Sequence, residues 1–320
     1  MAEDTSFRRK PAKAEKGGER GRYLLYIMVA FISLGFIFLM IFGLVSLSAG
    51  TKNPFGKCVG VVEINGEITT ADATQSLFSE GSAGSYEISK RIEKINERED
   101  VAAVLFVINS PGGSVVGTNE IYRAVDGLEK PKVAYFREVA ASGGYYIATP
   151  ADYIISEPDA LTGSIGVIMS TYEISGLLEK IGVSEVVIKS GEMKDIGTPF
   201  RNMTDEEKAL LGAAVQEIFE EFKGVVIEHR GDRLNREMFE EITDGRVLTG
   251  RMALRAGLVD AVGSRDDALK KAAELGGMEY EDDVPVCEID VSGAQGGLFS
   301  MGGLLRGLGE ETTGYRVEYR

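Results

Sequence analysis

Hydrophobic positions along the chain follow the strand period in some segments and the helix period in others. Residues 101–108 (VAAVLFVI) are apolar throughout, which predicts a strand that is buried on both faces. Residues 85–97 place Ile88, Ile92 and Ile95 on one face of a predicted helix. Because strands and helices alternate in this way, the sequence predicts an α/β fold with a mainly parallel sheet that is covered by helices.

The same pattern predicts the remaining elements. Further strands are expected over 59–64, 132–136, 152–156, 164–169 and 183–188, further helices over 117–128, 174–181, 204–229 and 266–275, and a strand–helix–strand unit over 246–263. A short helix should also follow the turn at 141–144. The long helix has its own start signal, since Thr204 and Glu207 have the spacing of a capping box.

An uncharged apolar segment stands close to the N-terminus. Residues 23–49 carry no charge, and about 20 apolar residues are enough for a helix to cross a bilayer. A cleaved signal peptide is the alternative, although its apolar core is normally shorter, about 7–15 residues. Seven lysines and arginines lie within residues 1–22. We therefore expect a single-pass anchor with the N-terminus in the cytoplasm and the rest of the chain outside.

Composition excludes several kinds of site. The 320 residues carry a net charge of −15, and the acidic body argues against nucleic acid as a partner. One histidine and two cysteines cannot build a site that needs two histidines or four cysteines from one chain. Free thiols are the favoured interpretation of Cys58 and Cys287. His229 is expected at an exposed, charged helix end, where it could not serve a Ser-His-Asp triad.

Two glycine-rich turns follow predicted strands and are candidates for chemistry. In residues 110–114 (SPGGS), exposed backbone N–H groups could hold an oxyanion, or the turn could be purely structural. In residues 140–146 (AASGGYY), Ser142 could be a nucleophile or an ordinary helix N-cap. A nucleophilic serine without histidine needs another base, and a desolvated lysine can supply it. Lys194 lies in a glycine-bounded loop, with a surface lysine paired to Asp195 as the alternative.

Taken together, these motifs are far more specific than any one of them. The segments VINSPGGSV, ASGGYYIA, LTGSIGV, SGEMKDIGTPFRNMT and DGRVLTGRMALRAGLVDAVG resemble, in order and spacing, the signal peptide peptidase A family in its short membrane-anchored form. The resemblance covers roughly residues 58–275. It implies a crotonase-like fold, related to that of the caseinolytic protease (ClpP) subunit, built from repeated strand–turn–helix units.

The resemblance also implies roles for particular residues. Ser142 falls on the family's nucleophile, Lys194 on its general base and Ser164 on the hydroxyl that orients the lysine. The N–H groups of Gly113 and Gly143 would be the oxyanion donors. No cofactor or metal is implied. The resemblance does imply homo-oligomers, in which the serine and lysine of one site can come from neighbouring protomers.

The resulting expectation is a serine endopeptidase that degrades cleaved signal peptides and other apolar peptides at the outer face of the cytoplasmic membrane. The expected parts are a basic cytoplasmic tail (1–22), the anchor (23–49), the protease domain (50–291) and a glycine-rich, mobile tail (292–320) that the enzyme itself would cut. Three alternatives stay open: a related serine–lysine protease dedicated to one membrane partner, a crotonase-type acyl-CoA enzyme, and a non-catalytic scaffold.

Overall fold

The computed structural model describes residues 26–40, 56–71, 84–289 and 317–319. These residues belong to two units, a helix α1 (26–40) and a body that begins at residue 56. In the described part of the chain, no helix is both long and apolar enough to cross a membrane. The remainder of the predicted anchor, residues 23–25 and 41–49, lies outside the described residues, as does most of the predicted tail.

The body contains eleven strands and eight α-helices in its described residues. The strands are β1 Cys58–Asn65, β2 Val101–Ser110, β3 Gly113–Ser114, β4 Lys132–Ala141, β5 Tyr153–Ser156, β6 Leu161–Gly163, β7 Ile168–Met169, β8 Val247–Thr249, β9 Ala261–Val262, β10 Val286–Glu288 and β11 Val317–Tyr319. The helices are α2 Ser85–Glu93, α3 Val115–Asp126, α4 Gly143–Tyr146, α5 Ser175–Ile181, α6 Asp205–Arg230, α7 Arg236–Ile242, α8 Gly250–Ala256 and α9 Arg265–Leu275. Two 3₁₀ turns are Lys94–Glu97 and Glu192–Asp195.

The main sheet has eight strands and is mostly parallel. Its path runs β10-β1-β2-β4-β5-β9, and every neighbouring pair along it is parallel. A side branch adds β6, parallel to β4, and then β8, antiparallel to β6. This parallel-rich arrangement confirms the predicted α/β class and fits a ClpP-like fold.

Strand β4 divides between two sets of neighbours, and this division creates the place for a site. Its first half pairs with β5, from Val133 to Phe136, whereas its last residues pair with β6, from Val139 to Ala141. The pairing with β2 shifts register between Ile108 and Ser110, so β4 changes partners where the ladder is irregular. The carboxyl end of β4 therefore emerges between the main sheet and the β6–β8 branch.

Both faces of the sheet are buried. Along β2, Val104, Phe106 and Ile108 face one cluster, to which α2, α3, α6, α7 and α8 contribute. The alternate residues Leu105 and Val107 face a second cluster that α9 covers. Because successive strand side chains point to opposite faces, a continuously apolar strand is what this two-sided burial requires.

Most predicted elements are present, with shifted ends. The helix predicted over 204–229 is α6, and Thr204 and Glu207 form the predicted capping box. The strand predicted over 132–136 extends to Ala141. The strand predicted over 183–188 is wrong, because this segment pairs with no strand among the described residues. Of the strand predicted over 164–169, only Ile168–Met169 forms.

The favoured interpretation of the cysteines as free thiols is also wrong. Cys58 and Cys287 form a disulfide, with their Cα atoms 5.8 Å apart. The cause is the addition of β10 to the sheet edge beside β1, which places Cys287 opposite Gly60. A sequence separation of 229 residues gives no sign of this pairing.

Candidate active site

Ser142 stands at the junction between β4 and the short helix α4. Its backbone has φ 54° and ψ −120°, a conformation with positive φ that non-glycine residues rarely adopt. Its N–H donates to Gly163 O at 2.8 Å, and its carbonyl accepts hydrogen bonds from Tyr145 and Tyr146. The side chain makes no capping bond, and Oγ is buried with no hydrogen-bond partner among the described residues. Ser142 is therefore not the ordinary N-cap that was one interpretation of the sequence.

Two buried tyrosines anchor the turn that carries Ser142. Tyr145 OH donates to Leu258 O at 3.0 Å, and burial raises the pKa of this phenol well above its usual range. The Tyr146 ring packs edge-on against Tyr122 and Phe222, each with a centroid separation of 5.0 Å. Strained backbone persists only where the surroundings over-determine it, and these contacts supply that constraint.

Ser164 lies beside Ser142. Strands β4 and β6 are parallel and pair Ala141 with Gly163, so the next residue of each strand is a serine. Neighbouring strands are about 4.8 Å apart, which places the two serine backbones side by side. Ser164 also has a positive φ, 51°, and its N–H donates to Arg246 O at 2.9 Å.

The two glycine-rich turns come together at this point. A Cβ atom at Gly143 would lie 3.3 Å from Gly112 Cα and 2.5 Å from Thr118 Oγ1. At Gly113, where φ is 153°, a Cβ atom would lie 2.1 Å from Ile68 O. Only glycine fits at either position without a shift of the surrounding atoms. The structure thus brings Ser142, Ser164, Gly113 and Gly143 into one region.

The edge of the Gly113 turn that faces away from Ile68 is paired with strand β11. Ile68 N donates to Gly112 O and Ser114 N donates to Ile68 O, so the peptide N–H of Gly113 points away from Ile68. On that opposite side, β11 pairs antiparallel with β3, with Tyr319 opposite Gly113. The other edge of β11 pairs antiparallel with β7. An extended segment of chain therefore fits between β3 and β7.

An apolar cavity of about 400 Å³ opens beside Ser142. Its lining includes Ala141 and Ser164 from the site itself. Most of its other walls are apolar: Pro111, Gly112, Val139, Leu161 and Val247, with Glu67 as the charged exception. The cavity can accept a hydrophobic side chain from a chain held next to the serine.

Lys194 is exposed at the surface and does not hydrogen-bond to Ser142. It belongs to the 3₁₀ turn Glu192–Asp195, and its side chain is exposed. Since Ser142 Oγ has no hydrogen-bond partner among the described residues, one chain does not bring Lys194 Nζ to it. Nor is Lys194 paired with Asp195, as the alternative interpretation supposed, because the Asp195 carboxylate binds Lys189 and Arg201 instead.

His229 takes no part in this region. Its Nε2 atom lies 2.8 Å from Tyr122 OH, and its side chain is only 18% exposed, so it is less exposed than predicted. Burial, together with the carboxylates of Asp126 and Glu228, raises the pKa of the Tyr122 phenol to about 12. His229 therefore serves the packing between α3 and α6.

A buried, strained serine after a parallel strand, beside glycine-rich turns and an apolar cavity, is the arrangement expected of a serine-type hydrolase. Comparison with known proteins agrees. The profile of peptidase family S49 matches residues 126–279. A putative protease of Methanocaldococcus jannaschii is 33% identical over 293 residues, which cover 90% of this chain and 94% of that protein. A putative signal peptide peptidase of Enterococcus faecium is 35% identical over 248 residues, 74% of this chain and 70% of that protein.

A putative protease of Synechocystis is 41% identical over 194 residues, which are 60% of this chain and 69% of that protein. The chain belongs to peptidase family S49, the family of signal peptide peptidase A, and it is a serine-type peptidase.

Three features of the site were not predicted. They are the contact of Thr118 with Gly143, the anchoring of the serine turn by Tyr145 and Tyr146, and the ion pairs around Asp195. The two tyrosines directly follow the glycines, so their position was visible in the sequence. The roles of Thr118 and Arg201 could not be predicted from the sequence. Thr118 contacts Gly143, which is 25 positions away, and the six-residue spacings from Arg201 to Asp195 and to Glu207 match no known motif.

Proposed function

We propose that this chain is a membrane-anchored serine endopeptidase in which Ser142 is the nucleophile and Lys194 is the general base. One observation carries the proposal: Ser142 is held in a strained conformation with its hydroxyl buried and unpartnered among the described residues. A buried polar atom without a partner costs free energy, about 1–3 kcal/mol, so its retention suggests that it has a chemical task.

The proposed reaction proceeds in two halves. Neutral Lys194 accepts the Ser142 hydroxyl proton while Oγ bonds to the scissile carbonyl carbon. The tetrahedral intermediate collapses, its C–N bond breaks, and protonated Lys194 returns the proton to the leaving amine. Water then attacks the acyl-enzyme ester with Lys194 as base, which releases the acid product and restores Ser142.

The glycine-rich turns would stabilise the intermediate. Backbone N–H groups of Gly113 and Gly143 are the proposed donors to the oxyanion, supported by the approach of Gly143 to the Gly112 backbone. A donor of this kind is worth about 10²–10³ in rate. Ser164, which follows the neighbouring parallel strand, is the proposed hydroxyl that orients the lysine amine.

The proposed substrates are extended apolar peptides, including remnants of signal peptides. The position of β11 between β3 and β7 supports binding of the substrate as an added antiparallel strand. The apolar cavity beside Ser142 supports a preference for a hydrophobic side chain. One relative is named a putative signal peptide peptidase, and the proposal extends that substrate class to this chain. The pairing of β11 also supports self-cleavage of the tail.

We further propose that the site is completed between two copies of the chain. The segment that carries Lys194 packs poorly on its own body: α5 has no buried residue, and Val186 and Ile188 are 85% and 97% exposed. Exposed apolar side chains in such number indicate a protein interface. A second copy that covers this surface could bring its own Lys194 to the first copy's Ser142.

Residues 23–49 are proposed to anchor the enzyme, with the basic residues 1–22 in the cytoplasm and the catalytic domain outside. The helix at 26–40 and the absence of charge across 23–49 support this. The Cys58–Cys287 disulfide also supports it, because disulfides persist mainly in oxidising compartments.

The test is cleavage of a fluorogenic apolar peptide between pH 6 and pH 10, with labelling by a serine-reactive phosphonate. Wild type should gain activity as the pH rises, and Ser142→Ala should lose both cleavage and labelling. Lys194→Ala and Lys194→Arg should both lose cleavage, since a guanidinium stays protonated. Lys270→Ala, at an exposed position of α9 outside the proposed interface, is the matched control and should cleave as wild type does. Wild-type cleavage by Ser142→Ala would refute the nucleophile.

A further inference from the structure

We propose that Arg201 and Lys189 are positioning residues: they clamp the turn that bears Lys194 and neutralise the Asp195 carboxylate next to it, so that the lysine amine can act as a base. This inference rests on the proposed role of Lys194. It assigns a task to four charged side chains outside the serine region, Lys189, Asp195, Arg201 and Glu207.

Lys189 clamps the turn at both ends. Its Nζ atom donates to the Glu192 carbonyl at 2.8 Å and to Asp195 Oδ1 at 2.7 Å. Glu192 and Asp195 are the first and last residues of the 3₁₀ turn, and Lys194 lies between them. A four-residue turn with few packing contacts would otherwise be free to rearrange.

Arg201 joins this turn to the start of α6. Its Nε and Nη2 atoms donate to the two Asp195 oxygens, at 3.1 and 2.8 Å. Its Nη1 atom donates to Glu207 Oε2 at 2.9 Å, and Nη2 donates to the other Glu207 oxygen. Glu207 also accepts from Thr204 N as part of the capping box. The guanidinium thus holds the turn against the rigid end of a 26-residue helix.

The four charges of this cluster cancel. Two cations face two carboxylates, and the carboxylate side chains are largely shielded, 13% exposed for Asp195 and 3% for Glu207. Hydrogen bonds from Arg201 lower the pKa of Glu207 to about 2 and hold that of Asp195 below its usual range, so both stay charged at any pH where a lysine titrates.

Lys194 itself has no ion pair among the described residues, although Asp195 is its immediate neighbour. Other acidic groups on adjoining segments include Glu192, on the turn, Glu185, on the segment before it, and Glu173, which accepts a hydrogen bond from Ser175. None of these three forms an ion pair with the lysine amine. The only carboxylate next to Lys194 in the sequence is therefore the one that two cations neutralise.

This arrangement predicts in which direction each substitution moves the midpoint of the pH–activity profile. Arg201→Gln or Lys189→Gln leaves one negative charge uncompensated beside Lys194, which favours the protonated amine and moves the pH–activity midpoint upward by roughly 0.5–1.5 units. Asp195→Asn leaves one positive charge in excess and should move the midpoint downward. A residue with a purely structural role would not give shifts of opposite sign.

The experiment measures kcat/KM against pH for full-length wild type and these three variants. The compensated double variant Arg201→Gln/Asp195→Asn should bring the midpoint back toward the wild-type value, even where the maximal rate stays low. Arg201→Lys keeps the charge and should keep the midpoint, while it loses the forked contact. Lys223→Gln, further along α6, removes the cation from an ion pair with Glu240 of α7 and should not move the midpoint. Raised salt should shrink every shift.

The failures of the two proposals are distinguishable. If Lys194→Ala cleaves as wild type does, the proposed base is wrong. If Lys194→Ala is inactive but neither single cation variant moves the midpoint, or the double variant shifts as far as Arg201→Gln, this inference is wrong. Thermal unfolding and oligomer size are checked for each variant. Should Arg201→Gln fail to fold, Lys189→Gln decides, because its side chain is 31% exposed and it contacts only one carboxylate.

Discussion

The region around Ser142, the proposed nucleophile, and the region around Lys194 are built in opposite ways. Ser142 follows a central strand, is fixed by two buried tyrosines and lies where two glycine turns meet with no room for a Cβ atom. Lys194 stands on an exposed 3₁₀ turn that a few ion pairs hold, within a stretch whose helix α5 has no buried residue.

If Ser142 and Lys194 act together as proposed, the contrast means that one chain preforms only part of the catalytic site. The strained backbone conformation of Ser142 persists only because the surrounding residues are densely packed, and the sheet and the helices on it provide that packing. The segment around Lys194 exposes apolar side chains that the rest of the chain does not cover, and such exposure is typical of a protein–protein interface. Under the proposal, the enzyme is assembled by association, and an isolated chain is inactive.

The largest difference between the two regions should come from a glycine-to-alanine substitution in each, which adds one methyl group. At Gly143 an added Cβ would lie 2.5 Å from Thr118 Oγ1, whereas at Gly191, beside the Lys194 turn, it would meet nothing within 4 Å. Gly143→Ala should reduce kcat/KM by about a hundredfold and cost about 1–3 kcal/mol of stability. Gly191→Ala should change both little. Peptide cleavage and thermal unfolding measure the pair, and equal effects would remove the contrast.

A smaller effect is expected from the uncovered apolar surface. Ile188→Ser should leave the Tm nearly unchanged, because this side chain is 97% exposed in one chain. It should raise the concentration at which activity is half-maximal by roughly tenfold or more, through lost apolar burial between copies. Activity is followed on dilution, together with light scattering. Val116→Ser, at a 59% exposed position on α3, is the control. A lowered Tm without any change in association would count against the proposal.

The smallest effect concerns the ion pairs beside Lys194 at acid pH. The folded-state pKa of Glu207 is about 2, below the ordinary value near 4, so its pairing with Arg201 stabilises the fold fully above about pH 5. This contribution is lost as the pH falls toward 2. Glu207→Gln should therefore show a shallower decline of Tm between pH 5 and pH 2 than wild type. Identical declines would show that the pairing adds nothing to stability.

Sequence reasoning succeeded where local pattern decides structure. The continuously apolar 101–108 became a strand buried on both faces, and Thr204 and Glu207 formed the predicted capping box. The glycine turns and Ser142 could be singled out because strand ends, small residues and a nucleophile type coincide there.

Sequence reasoning failed where a contact depends on how the chain folds back on itself and not on a local pattern. The Cys58–Cys287 disulfide depends on β10 joining the sheet edge, and the clamp on Asp195 depends on a loop folding back to α6. The strand predicted over 183–188 has strand-forming residues but no partner strand among the described ones. A strand needs a neighbour, and that requirement cannot be read from its own residues.

The most direct test of the shared site is complementation between two inactive variants. Ser142→Ala and Lys194→Ala chains, carrying different affinity tags, are co-expressed, and mixed oligomers are purified through both tags. If each site takes its serine from one copy and its lysine from a neighbour, the mixed oligomers should regain roughly a quarter to a half of wild-type activity. Random mixing gives about a quarter in a large ring, because half of the copies supply each intact residue, and about a half in a dimer that contains both variants. If the purified mixed oligomers remain as inactive as either variant alone, the serine and the lysine do not come from different copies.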